Sequence, residues 1–100
     1  MKAKLLFRRR IVVAESAFTE LVLWHVPSPV RGSDHDYKYS LALVVDGFCV
    51  LRYDNEAGKG DHKHIGEAEF EYMFTDVDTL VSDFRNDVMR WLNEHRNAQG

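Results

Sequence analysis

The sequence predicts an α+β domain: an antiparallel sheet of about five strands, running as a meander, packed against one C-terminal amphipathic helix. Three observations carry this reading. Asp46-Gly47 separates two alternating apolar runs, the signature of a two-residue hairpin turn in which both residues take positive φ. Apolar residues then recur at helical spacing from Val77 to Leu92. Finally, 100 residues that are 45% hydrophobic and 29% charged fit one globular domain spanning 1–100, with strands within 4–74 and the helix over about 76–95.

The first strand is Lys4–Ala14, whose two faces are not cleanly sorted. Ala17–Val26 alternates better and is apolar on both sides, as expected of a central strand. Pro27–Asp36 contains two prolines and a glycine and reads as a long loop, a candidate flap. Tyr37–Val45 and Phe48–Asp54 form the hairpin. Asp54–Gly66 reads mostly as loop. Glu67–Phe74 is expected as an edge strand, with Ala68, Phe70, Tyr72 and Phe74 facing one way and three glutamates facing water. Thr75 is the expected helix cap, with Asp76 and Asp78 favoured in the first turn by the helix dipole. Val77, Leu80, Val81, Phe84, Val88, Trp91 and Leu92 form one stripe that must pack on the sheet, and Asn93–Gly100 is expected to fray.

Composition narrows the function. The net charge is −3, yet residues 1–10 hold five basic groups and no acidic one, whereas residues 61–80 hold one lysine against six acidic residues. Any nucleic-acid contact therefore has to use a local basic strip. Arg8, Arg9 and Arg10 alternate in direction along a strand and do not form such a strip on one face. A lone cysteine, Cys49, excludes an intrachain disulfide and is expected as a small buried hydrophobe. No apolar run approaches the ~20 residues of a membrane span, and Leu5–Phe7 is too short for a signal peptide, so a cytoplasmic setting is expected. Trp24 and Trp91 are expected in the core, His25 in the core or at its boundary, and Tyr37, Tyr39 and Tyr53 in sheet packing rather than stacked on bases.

The chemically dense segment is Arg52–Ile65, RYDNEAGKGDHKHI. In an extended chain residues i and i+2 face the same way, so His62 and His64 project together with Lys63 opposite. Gly58 and Gly60 flank Lys59 and let the backbone approach a ligand closely. Three readings fit these residues. Two imidazoles can act as acid and base near neutral pH, with Lys or Arg stabilising a phosphorane-like transition state. His62 and His64 with a carboxylate such as Asp61 or Asp54 can hold a metal. A polar, solvated loop is the plain alternative. His35, between Asp34 and Asp36 on the flap, is placed to close over the histidine pair.

The run YKYSLALVVDGFCVLRYDNEAGKGDHKHIG, followed by FTDVDTLVSDFRNDV, resembles the TumE family of prokaryotic toxin–antitoxin proteins. Matching positions are Arg52, Tyr53, Asp54, Asn55, Gly58, Lys59, Gly60, Asp61, His62 and His64. Glu69-Phe70-Glu71-Tyr72 is more acidic than the family pattern. The resemblance implies a toxin with a helix-turn-helix antitoxin as its partner. Joined to the His-x-His pair, it leads to the expectation of metal-independent acid–base cleavage of RNA. In that scheme His62 and His64 are acid and base, Lys59 and Arg52 contact phosphate, and Asp61 or Asp54 orients a histidine. Tyr53, Asp54, Asn55, Gly58, Gly60 and His35 line the substrate. No cofactor or metal is expected; a metal, if bound, would take His62, His64 and Asp61. The alternative is a non-catalytic protein that inhibits by occupying a protein or nucleic-acid partner. No membrane association is expected, and a homodimer is compatible with the chain.

Overall fold

The computed structural model describes residues 2–98, with side chains through His95. Six strands precede one helix: β1 Lys4–Ala14, β2 Ala17–His25, β3 Tyr37–Val45, β4 Phe48–Asp54, β5 His62–Ile65, β6 Ala68–Glu71 and α1 Val77–Ala98. Every strand pairs antiparallel with the next, so the sheet order is the chain order. The α+β class, the meander and the C-terminal helix are as the sequence predicts. Asp46 and Gly47 take φ of 52° and 83°, the left-handed pair that the β3–β4 turn requires.

The sixth strand comes from the polar stretch HKHI, which carries no hydrophobic alternation but completes its backbone hydrogen bonds between β4 and β6. Residues 67–74 contribute only the short edge strand β6, all of it exposed. Asp76, rather than Thr75, caps the helix: its carboxylate accepts the Thr79 amide at 2.7 Å, and that bond holds the carboxyl below its ordinary pKa. The helix runs on to Ala98, past the end of the apolar stripe; Gln99 and Gly100 lie outside the described residues.

One face of the sheet carries the core. Leu21, Leu23, Tyr39, Leu41, Leu43, Leu51 and Tyr53 alternate onto it and pack with Leu80, Phe84 and Val88 of α1. The opposite face has no helix. There Arg10 lies over the Phe18 ring, 4.2 Å from its centroid, and bonds Glu20 at 3.0 Å. This explains two departures from expectation. Trp24 shares the Phe18 face, so it is half-buried outside the core, whereas Trp91 packs at the core margin. Cys49 pairs with Val44 beside a register shift near the hairpin end and is exposed. His25 is exposed too, edge-on to Tyr37.

Candidate functional site

The β4–β5 register assembles the histidine pair with two charged residues. Arg52 pairs with His64, Tyr53 with Lys63, and Asp54 with His62. Strand alternation sends Tyr53 and Lys63 to the helix side, where both reach Asp87, with Lys63 Nζ 3.2 Å from its carboxylate. Arg52, Asp54, His62 and His64 therefore share the face that no helix covers. The two imidazoles meet edge-to-face with centroids 4.9 Å apart. Glu71 and Glu69 of β6 pair with His62 and His64 and add negative charge at the same margin.

His62 is the anchor of this group. Its side chain is 5% exposed. Nδ1 lies 3.0 Å from the Gly60 carbonyl oxygen, and Nε2 lies 2.9 Å from Asp54 Oδ1 and 3.9 Å from Glu69 Oε1. Despite that proximity, the two atoms do not form a hydrogen bond. Asp54 Oδ1 is the one buried side-chain polar atom among the described residues without a hydrogen bond. Ligand atoms of Asp54, His62 and His64 all lie within 4.8 Å of one another. The carboxylate that partners the histidines is thus Asp54, eight residues upstream but directly across the ladder, and not the adjacent Asp61.

Asp61 turns the other way. Its carboxylate accepts Ser33 Oγ at 2.6 Å, Tyr39 OH at 2.6 Å and His35 Nε2 at 2.7 Å. His35 Nδ1 accepts the Tyr37 amide, and its ring stacks on Phe74 at 3.8 Å. His35 is therefore pinned on Asp61 and does not close over His62 and His64. Burial, followed by the hydrogen bond to Asp61, pushes the Tyr39 phenol far above its ordinary range. Lys59 lines the same cavity as His35 and Asp61, together with Glu71, Tyr72 and Phe74, and so stands apart from Arg52.

Several residues expected to line substrate serve the scaffold. Asn55 is 1% exposed. Its Oδ1 accepts the Tyr39 amide at 3.0 Å and its Nδ2 donates to the Tyr37 carbonyl at 2.7 Å, so the side chain continues the β3–β4 ladder past Asp54. Tyr53 is 1% exposed and its hydroxyl is held by Asp87, which places it in the core. Gly58 donates its amide to the Arg31 carbonyl at 2.6 Å, and Gly60 packs against Gly32. The loop glycines thus serve a loop-to-loop contact. Ser33 and Tyr39, which complete the Asp61 network, escaped sequence reasoning because a serine in a flap and a tyrosine in a strand carry no distinguishing pattern.

The family model described as Toxin TumE matches residues 2–92, and the chain belongs to that family. No curated protein and no solved structure matches it. Membership makes it a member of a toxin family and implies an antitoxin partner. Among the described residues no helix is long and apolar enough to cross a membrane.

Proposed function

We propose that this TumE-family toxin acts on the phosphodiester backbone of RNA through the face bearing Arg52, Asp54, His62 and His64. The observation that supports this most directly is the register of β4 on β5, which brings one guanidinium and two imidazoles to the same open surface. A guanidinium matches the geometry and charge of phosphate. RNA carries its own nucleophile in the 2′-hydroxyl, so the protein has only to hold the phosphate and manage protons or charge beside it. The two-histidine relay needs revision, because both ring nitrogens of His62 face protein atoms. His62 is a positioning residue; Arg52 and His64, more exposed, meet the substrate.

The test is expression without antitoxin, with growth and total RNA followed together. The wild type is expected to arrest growth and degrade RNA, whereas Arg52→Ala and His64→Ala each relieve both effects. Arrest with intact RNA would exclude RNA as the target. Equal arrest by the wild type and the Arg52→Ala/His64→Ala double variant would exclude this face as the site.

The antitoxin reading follows from charge. Glu67, Glu69 and Glu71 lie on or beside the exposed edge strand β6, a surface complementary to the basic DNA-binding face of a helix-turn-helix protein. Such a complex is expected to weaken with salt and with Glu69→Lys/Glu71→Lys. Loss of affinity in neither case would move the interface elsewhere.

A further inference from the structure

We propose that Asp54, His62 and His64 bind one divalent transition-metal ion. The proposal concerns the resting protein and stands independently of the RNA reading.

The argument begins with the tautomer of His62. A carbonyl oxygen only accepts, so the Nδ1 that faces Gly60 O at 3.0 Å carries the ring proton. In the neutral ring, Nε2 then presents a lone pair. Asp54 Oδ1, also an acceptor, lies 2.9 Å from it, buried and without a donor. Two shielded acceptors side by side repel. The contact does not form a hydrogen bond, so Asp54 Oδ1 is left with a lone pair to offer. A shared cation relieves the repulsion from a position between and in front of both atoms.

Each further feature fits a metal. A metal-binding histidine donates its other ring N–H to a carbonyl or carboxylate, which fixes the tautomer; Gly60 O does this for His62. With metal–ligand bonds of ~2.0–2.2 Å, a ligand separation of 2.9 Å subtends about 90° at the ion. A tetrahedral ion with bonds of that length holds its ligand pairs ~3.4 Å apart. The set spans up to 4.8 Å, so the less buried His64 ring moves inward by more than ~1 Å on binding. Two imidazoles and one carboxylate select a Zn²⁺-like or Fe²⁺-like ion over Mg²⁺, which prefers an all-oxygen shell. Glu69 Oε1, 3.9 Å from His62 Nε2, adds a negative charge that favours a cation at the same point.

The full-length chain, freed of metal by chelator dialysis, is titrated with Zn²⁺ and separately with Mg²⁺ by calorimetry, with melting temperature followed in parallel. One Zn²⁺ per chain, a sub-micromolar Kd and a raised melting temperature are expected, with no response to Mg²⁺. His64→Gln and Asp54→Asn, which leave buried His62 in place, are each expected to weaken Zn²⁺ by roughly 100-fold while retaining the native circular dichroism. His25→Gln, at an exposed histidine of β2, is expected to change nothing. Zn²⁺ affinity that is unchanged in both His64→Gln and Asp54→Asn overturns the proposal, as does a wild-type chain that does not saturate at one Zn²⁺ per chain. Because the readout is metal affinity, this outcome is separable from growth arrest: metal can bind a chain that spares RNA, and RNA can be cut by a chain that binds no metal.

Discussion

Gly32 and Gly60 meet backbone to backbone: a Cβ on either would stand 2.7 Å from a main-chain atom of the other, and both sit at positive φ, 99° and 76°. This contact locks the flap to the loop that enters the histidine strand. Gly66, at φ 59°, ends the same strand with open space around it. Gly66→Ala is therefore expected to lose only the conformational preference, roughly 1 kcal/mol, and Gly60→Ala clearly more, because a main-chain atom must also move. Urea unfolding of the two variants measures the difference. Equal losses would mean that the loops separate at little cost.

Phe84 is the largest α1 side chain that is fully buried, edge-to-face on Tyr53 with centroids 5.6 Å apart. Phe84→Ala is expected to cost about 3–5 kcal/mol. Val12, 75% exposed on β1, serves as the control, and Val12→Ala should leave stability within about 0.5 kcal/mol. Chemical denaturation with an unchanged m-value checks both.

Asp87 accepts the Tyr53 hydroxyl and the Lys63 ammonium. Asp87→Ala leaves the buried phenol only its long 3.4 Å contact to the Asp83 carbonyl and is expected to cost about 1–3 kcal/mol. Lys63→Ala removes a partly exposed ion pair and is expected to cost less than about 1 kcal/mol. A double-mutant cycle separates the two contributions.

Folding raises the phenol pKa of Tyr39, Tyr53 and Tyr72, first through burial and then through a hydrogen bond to Asp61, Asp87 and Asp83 respectively. The folded pKa lies above the unfolded value of about 10, so the stabilisation is complete below about pH 10 and is lost as pH rises beyond it. In a titration followed by tyrosinate absorbance, three of the four tyrosines should ionise only as the chain unfolds. Early ionisation of these three with the fold intact would contradict the hydrogen-bond assignments.

Much of the fold was legible because its signals are local. Asp46-Gly47 announces its own turn, and the Val77–Leu92 stripe announces the helix and its buried face. The strand β5 was not legible, since HKHI owes its conformation to partners on either side rather than to its own pattern. The histidine pair follows from i, i+2 spacing, but spacing alone leaves its carboxylate open between Asp61 and Asp54. Asp61 is one residue out of phase with His62 and turns to Ser33, His35 and Tyr39. The choice of Asp54 takes counting across the ladder. Asn55 misleads in a different way: a side chain that imitates main-chain hydrogen bonding is indistinguishable in sequence from one offered to a ligand. Trp24 and Cys49 show that an apolar strand residue need not face the core when one side of a sheet has no helix.

The strand His62–Ile65 alternates between two tasks, with Lys63 tied to the helix and the histidines turned to the open surface. Its behaviour toward insertions and deletions is consequently governed by parity. One residue added within the strand, between His62 and Lys63, would exchange the roles of the two faces beyond it, offering lysine to the open side and the second imidazole to Asp87. Two added residues would restore the orientation and only shift it along the sheet. Length variation among chains that keep this chemistry should therefore come in even steps on the strand and be unrestricted at the tips of the turns.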